Sequence, residues 1–149
     1  MEPDIVDERR ERIGRFLKLK GYDLPGFAPD VDRSEAGEIH MPYSATRTVL
    51  YSVIDRERRK VYHYDETEVD HIMIGRIEHD DLWAIEHITR IPRILRSGHI
   101  VFASEDKVVY HSRSKFRRPD DTYCTLRVII KRDPVGRWYV ETFYPKDVK

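Results

Sequence analysis

Two β-rich runs joined by a tight turn constrain the fold of this chain more than any other feature of the sequence. The turn is Asp133-Pro134-Val135-Gly136, which has proline at the second position and glycine at the fourth, as β-turns prefer. The runs at 122–132 and 137–144 contain many β-branched and aromatic residues, which favour strands. We therefore predict an antiparallel hairpin over these two ranges and expect Pro145 to end its second strand.

Several other runs have the composition of strands. The candidate strands are 47–54, 60–64, 69–77, 99–103 and 107–115. Charged or polar residues separate 47–54 from 60–64 and 99–103 from 107–115, so each of these two pairs predicts a hairpin.

A helix is predicted between the two groups of strands. Asp80 or Asp81 suits its N-cap and first turn, because an acidic side chain accepts hydrogen bonds from the unpaired backbone N–H groups there. Pro92 cannot lie in a helix interior without a break, so we expect a kink or a restart at that residue. Gly98 marks the expected end of the helix. The side of this helix expected to pack holds Leu82, Ile85, Ile88 and Thr89.

The N-terminal region adds another predicted helix over 6–20, ended by Gly21, and a loop over 22–38 that is interrupted by proline and glycine. The expected fold class is α+β. It comprises an N-terminal helix and β-hairpin over 1–78, then a helix packed on an antiparallel sheet over 79–149. We expect one compact domain, because a chain of 149 residues buries roughly two thirds of its surface on folding.

Cysteine content and charge narrow the class of protein. The single cysteine, Cys124, excludes an internal disulfide bond and a zinc cluster of several thiolates. The sequence has no run of 18 apolar residues, so we expect a cytoplasmic protein without a membrane partner. Range 90–132 contains 11 basic and 4 acidic residues, a net charge of +7 within a chain of zero net charge. Such a local excess favours a polyanionic partner such as nucleic acid.

One face of the predicted C-terminal sheet carries basic and hydroxyl side chains. Alternate residues of a strand point to opposite faces, so a helix covering Leu126, Val128 and Ile130 leaves Arg127 and Lys131 on the other face. Residues that can join them from the neighbouring strand are His111, Arg113 and Lys115. In the last strand the alternation predicts that two sets of side chains lie on opposite faces. One set is Trp138, Val140, Thr142 and Tyr144, and the other is Tyr139, Glu141 and Phe143. Register decides which sets coincide, and an ordinary solvated face is the alternative interpretation.

The seven histidines do not form a metal-binding pattern. His63, His71 and His79 are spaced by eight residues, which matches no standard ligand spacing, and the sequence has no HExxH motif. It also has no phosphate-binding loop and no dinucleotide-binding glycine pattern. We therefore expect neither a metal nor a cofactor.

Three short segments of the C-terminal half carry a further pattern. They are His87-Ile88-Thr89-Arg90-Ile91-Pro92, Leu126-Arg127-Val128-Ile129-Ile130-Lys131 and Tyr139-Val140-Glu141-Thr142-Phe143-Tyr144-Pro145. In sequence, order and spacing they resemble segments of the phage-associated barnase–EndoU–colicin–RelE-like nucleases. That family usually has a second histidine directly before the proline of the first segment, where this chain has Ile91. Residues 1–70 lie outside the resemblance.

The resemblance implies a metal-independent endoribonuclease, a hydrolase of toxin-like or phage-related type. In this reaction the ribose 2′-OH attacks the adjacent phosphate, which requires a base, an acid and cations. The implied catalytic residues are His87, His111, Lys131 and Thr142. The implied substrate-binding residues are Arg90, Arg113, Lys115, Arg127 and Tyr144. RNA is the implied substrate, and an inhibitor or antitoxin protein is the implied partner.

Two other hypotheses remain open at this point. A non-catalytic module could use the same basic face to bind nucleic acid or an acidic protein, with an affinity that falls steeply with salt. A scaffold in a larger assembly could use the acidic range 1–70 as a contact surface. Expression discriminates among them, because a nuclease of this kind is toxic without an inhibitor, whereas a binding module is not.

Overall fold

A sheet of eight strands organises the part of the chain that the computed structural model describes, which is residues 31–41, 46–79 and 82–148. Three predicted hairpins are confirmed as antiparallel pairs. The strands are β1 (Gly37–His40), β2 (Thr46–Ile54), β3 (Lys60–Tyr64), β4 (His99–Ala103), β5 (Lys107–His111), β6 (Phe116–Arg117), β7 (Tyr123–Arg132) and β8 (Trp138–Asp147).

The strands follow the order β1-β2-β3-β8-β7-β5-β4, and β6 pairs with the start of β7. Neighbours are antiparallel except β3 and β8, which are parallel and pair Val61 with Trp138 and Tyr62 with Tyr139. Strands from both predicted regions, 1–78 and 79–149, therefore belong to one mixed sheet. The fold class is α+β.

The segment after β3 is helical, so the predicted strand at 69–77 is wrong. It comprises α1 (Asp65–Thr67), a π-helical stretch (Glu68–Met73) and α2 (Ile74–Glu78). The interior strand β3 already has β2 and β8 as neighbours, so a strand following it could pair only at a distant edge. The segment instead packs Ile72 and Ile77 into the core, beside β8.

The second helical region restarts beside Pro92, as predicted. A 3-10 helix (Leu82–Arg90) leads directly into α3 (Ile91–Ser97), and Pro92 lies in the first turn of α3, where its missing N–H needs no partner. The predicted helix at 6–20, most of the loop at 22–38, and the cap candidates Asp80 and Asp81 lie outside the described residues.

The helices cover the face of the sheet that the apolar alternation predicted. Leu95 of α3 and Ile88 of the 3-10 helix are fully buried in one cluster with Leu126, Val128 and Ile130 of β7. Burying a side chain of this size contributes about 1.5–3 kcal/mol. The odd-numbered side chains of β7 therefore point to the opposite face.

A β-bulge in β8 breaks the alternation on which its predicted faces depended. Ile129 pairs with Thr142 and Ile130 pairs with Val140, so Glu141 is an extra residue, and its backbone has no pairing residue opposite it on β7. Val140 belongs to the buried core, whereas Thr142 lies opposite Ile129 on the other face. The prediction that Val140 and Thr142 share a face is therefore wrong.

Two strand ends also differ from prediction. Strand β8 continues through Pro145 to Asp147, because beyond Tyr139 it pairs only with β7, and proline is tolerated in such an edge segment. Strand β5 ends at His111. There the hydroxyl of Ser112 accepts a hydrogen bond from the backbone N–H of Leu126 at 2.9 Å. This bond replaces the next backbone hydrogen bond between β5 and β7.

Gly98, which follows α3, provides a test of the packing between this helix and the sheet. A Cβ at this position would lie 2.5 Å from the carbonyl oxygen of Ile94 and 2.7 Å from that of His111, and both are backbone atoms. We expect Gly98→Ala to lower the free energy of unfolding by about 1–3 kcal/mol, as overpacking does. Urea denaturation measures the change.

Gly75 in α2 is the matched control, because an added Cβ there has no atom within 4 Å. Gly75→Ala should leave stability unchanged or raise it by up to about 1 kcal/mol, since alanine favours a helix. An equal loss of stability in both variants would contradict the packing at Gly98.

Candidate functional site

A row of polar side chains crosses four adjacent strands on the face that the helices leave uncovered. Cross-strand pairing aligns His99 of β4 with His111 of β5, then Arg127 of β7 and Tyr144 of β8. Arg127 donates from Nε to Nε2 of His111 at 2.8 Å and from Nη1 to the Tyr144 hydroxyl at 3.0 Å. Arg127 is thus the centre of this row, which we call the sheet-face site.

The hydrogen bond from Arg127 fixes the tautomer of the His111 ring. Because Nε2 accepts a hydrogen bond, the neutral ring carries its proton on Nδ1. Burial lowers the pKa of His111 below its ordinary value, and the nearby cations Arg127 and Lys146 and the ring of His99 lower it further. His111 is therefore a neutral imidazole at neutral pH, which is the form that can act as a general base.

Tyr144 lies between two guanidinium groups. The Cζ atoms of Arg127 and Arg76 are 5.7 Å and 5.6 Å from its ring centroid, both within cation–π range. Arg76 comes from α2 and is itself buried. These contacts hold Tyr144, and through its hydroxyl they orient Arg127.

The site has a positive charge that its described neighbours do not balance. Arg113, Arg127 and Lys146 form no ion pair with a carboxylate among the described residues. Arg113 lies just past the end of β5, where its Nε donates to the backbone oxygen of Ser97 and its Nη1 is 3.5 Å from Nε2 of His99. The arrangement suits an anion that approaches the row from solvent.

Thr142 and Lys131 lie on the same face as Arg127, and Lys131 is the more distant of the two. Lys131 is four residues away, about 14 Å along β7, and its ammonium forms an ion pair with Glu141 at 2.6 Å. The Glu141 carboxylate raises the pKa of Lys131, so its charge is present but paired. Thr142 lies between them, opposite Ile129, at the bulge.

His87 and Arg90 lie on the other face of the sheet. The ring of His87 is 4.9 Å from that of Phe116, which pairs with the buried Cys124 on the helix-covered face. Arg90 lies over the same ring and donates from Nε to Nδ1 of His87 at 3.2 Å. The structure therefore does not bring His87 and His111 together, although both belong to the predicted catalytic set.

Lys115 is the other predicted residue that stays apart from the sheet-face site. It is exposed between β5 and β6 and lines a surface cavity with Arg118, Tyr123 and Asp147. The predicted strand at 107–115 would have placed it in line with His111, but β5 ends before it.

Sequence reasoning missed His99, which belongs to the sheet-face site, and the cations Arg76 and Lys146, which lie beside it. His99 starts a predicted strand, and its alignment with His111 follows from the register of β4 and β5, which the sequence leaves open. Arg76 fell within a predicted strand that is helical in the structure. No local signal in the sequence indicates that it would contact Tyr144.

The described residues contain no group of three or more histidine, cysteine, aspartate or glutamate residues that could hold a metal ion. Each helix in that part of the chain is too short or too polar to cross a bilayer. Comparison with models of protein families, with curated proteins and with solved structures finds no match to this chain. The geometry of the site is thus the basis for any functional assignment.

The lowered pKa of His111 predicts a loss of stability in acid. The unfolded chain takes up the proton at an ordinary pKa of about 6.5, whereas the folded protein takes it up only at lower pH. Between these values the unfolded state binds more protons, so His111 stabilises the fold above about pH 6.5 and this stabilisation is lost below it. Urea midpoints of the wild type and His111→Gln should diverge between pH 8 and pH 5, with the larger loss in the wild type. Equal losses would contradict the assignment.

Proposed function

We propose that this protein is a metal-independent ribonuclease that binds RNA at the sheet-face site and cleaves it by attack of the 2′-OH on the adjacent phosphate. The observation that carries the proposal is the hydrogen-bonded set of His111, Arg127 and Tyr144 on three adjacent strands. The set joins a neutral imidazole to a guanidinium that has no carboxylate partner among the described residues. The likeness of the segments at 126–131 and 139–145 to segments of a nuclease family supports the same reaction.

The residues have distinct roles in this mechanism. Arg127 can present two N–H groups to a phosphate, which guanidinium groups bind in bidentate fashion. When Arg127 turns to the phosphate, it releases Nε2 of His111, and this nitrogen takes the proton of the 2′-OH as its oxygen bonds to phosphorus. The bond from phosphorus to the 5′-oxygen then breaks, and that oxygen needs a proton. His99, the imidazole on the adjacent strand, supplies it.

Cations and hydroxyls complete the proposed site. Arg113 and Lys146 add positive charge where negative charge develops on the phosphate oxygens. Thr142 lies on the same face of β8 and offers a hydroxyl to the substrate. His87 and Arg90 have no role in this version of the mechanism, because they lie behind the sheet.

Non-catalytic binding of nucleic acid is the second candidate function, and a specific observation favours it. The lone pair that a base would use, on Nε2 of His111, is occupied by Arg127. If Arg127 stays in place when RNA binds, the site holds the phosphate but cannot accept the proton. Both candidates place RNA at the same residues.

A cleavage assay with purified protein and RNA tests the first candidate. We expect cutting that persists in excess EDTA and leaves 2′,3′-cyclic phosphate ends. His111→Gln should lower kcat/KM by about 10²–10⁴-fold, the usual contribution of a general base or acid. Arg127→Gln should lower it by about 10²–10³-fold through lost charge stabilisation.

Two further variants serve as comparisons. Arg93→Gln removes an exposed cation from α3 and should leave kcat/KM unchanged. Loss of cutting in His87→Gln with full activity in His111→Gln would place the reaction on the helix-covered face and overturn the assignment. Cleavage that stops in EDTA would overturn the mechanism.

A salt titration distinguishes binding alone from catalysis. In the second candidate, RNA binds without turnover, and the logarithm of the association constant falls linearly with the logarithm of salt concentration. Arg127→Gln should make the slope shallower by about 0.7, the value for one fewer phosphate contact on a single strand. An unchanged slope would exclude Arg127 from the RNA-binding surface.

A further inference from the structure

Tyr123, the first residue of β7, has an aromatic ring that is open to solvent. The residue is 56% exposed. Every other described tyrosine lies against an aromatic ring or a cation, or donates its hydroxyl to a carboxylate. Within the described part of the chain, no such contact involves Tyr123. Its ring is therefore available to a ligand.

The ring of Tyr123 lies on the same face of the sheet as the sheet-face site. The next residue, Cys124, is fully buried on the helix-covered face, and alternate residues point to opposite faces, so Tyr123 and Arg127 share the uncovered face. They are four residues apart, about 14 Å along β7. Lys146 pairs with Thr125 and therefore lies midway between them. A polyanion bound at Arg127 thus meets a second cation and then an aromatic ring.

A surface cavity of about 750 Å³ adjoins this ring, where β7 begins and β8 ends. Its size lies within the range of about 300–1,000 Å³ for ligand pockets. Both carboxylates that line it already accept hydrogen bonds. Asp147 accepts one from Arg118, and Asp120 accepts the backbone N–H and the hydroxyl of Thr122 at 3.1 Å and 2.6 Å. The cavity therefore suits an uncharged ring beside Tyr123.

Lys115 is the cation of this cavity that no described carboxylate balances. Its side chain is exposed in the segment between β5 and β6. A phosphate attached to a ring in the cavity would be attracted to this ammonium, whereas the ring itself needs only the aromatic wall. The cavity thus offers one contact for a base and one for its phosphate.

We propose that Tyr123 is a stacking platform for a base of single-stranded RNA, and that Lys115 contacts the phosphate beside that base. This inference rests on the proposed function, because it extends the path of the RNA from the sheet-face site past Lys146 to the cavity. A stacked strand rises about 3.4 Å per nucleotide, so the base is at most about four nucleotides from the phosphate at Arg127. The platform requires a single strand, because the bases of a duplex are already stacked on one another.

Binding of two oligonucleotides to the purified protein tests the platform. The first is a single strand of about ten 2′-deoxynucleotides, a usual site size for single-strand binding, and it stays intact because it has no attacking 2′-OH. The second is an abasic strand of equal length, which carries the same phosphates without bases. We expect Tyr123→Ala to lower the affinity for the first strand by about 5-fold to 150-fold, the loss of one stacked base. The affinity for the abasic strand should not change. Fluorescence anisotropy measures both affinities.

Three further variants define the contact. Tyr123→Phe keeps the ring and should retain the affinity of the wild type. Ile54→Ala is the matched control, because it removes an apolar side chain of similar exposure, 50%, from the end of β2, and it should leave both affinities unchanged. Lys115→Gln should make the salt dependence of binding shallower by about 0.7, the value for one phosphate contact on a single strand. Tyr123→Ala should leave that slope unchanged, because stacking releases no counterions. An unchanged slope in Lys115→Gln would exclude its phosphate contact.

The outcomes separate this inference from the proposed function. Failure of the single strand to bind, an unchanged affinity in Tyr123→Ala, or an equal loss in Tyr123→Phe would overturn the platform. An effect of Tyr123→Ala of the same size on a duplex or on the abasic strand would also overturn it, because neither presents a free base to the ring. Binding that depends on the Tyr123 ring, with no cleavage of RNA, would overturn the ribonuclease and leave the platform in place. Cleavage of RNA with unchanged affinity in Tyr123→Ala would do the reverse.

Discussion

The buried carboxylate of Asp55 connects two parts of the sheet that are far apart in strand order. It accepts the backbone N–H groups of Glu57 and Arg59, forms an ion pair with the Arg59 side chain at 3.0 Å, and accepts the hydroxyl of Tyr110. Burial raises the pKa of Tyr110, and the neighbouring Asp55 carboxylate raises it further, so this hydroxyl remains a donor. Strands β2 and β5 are four positions apart, about 19 Å in a flat sheet. The contact therefore requires the sheet to curl around its helices.

This curl determines which face is available to a ligand. Arg56, next to Asp55, donates its backbone N–H to Leu95 at 2.9 Å and its Nη1 to the carbonyl of Gly98 at 2.7 Å, so the end of α3 is held inside the curve. The helix-covered face is consequently filled by apolar side chains. The polar side chains of β5, β7 and β8 therefore lie on the opposite face. There Arg127 of β7 is hydrogen-bonded to His111 of β5 and to Tyr144 of β8.

Local patterns in the sequence were sufficient to predict the hairpins, the restart of the helix at Pro92 and the face of the sheet that Arg127 and Lys131 share. Each of these depends on neighbouring residues or on simple alternation. The parallel contact between β3 and β8 depends on long-range pairing, and the alignment of His99 with His111 depends on the register of a hairpin; alternation determines neither. The separation of His87 from the sheet-face site depends on the tertiary packing of the 3-10 helix against the covered face, at Phe116, which local patterns do not determine either.

The bulge at Glu141 has a consequence for how this chain tolerates changes of length. Removing Glu141 would give a regular ladder with Val140 still opposite Ile130 and Thr142 still opposite Ile129, so the side chains on both flanks would keep their faces. One residue inserted after Thr142 would instead turn Phe143 out of the core and Tyr144 into it. An insertion in the regular part of β8 is therefore far more damaging than loss of Glu141, whereas the exposed turn at Ser104 can absorb extra residues. In any lineage of such chains, changes in the length of β8 should fall at the bulge.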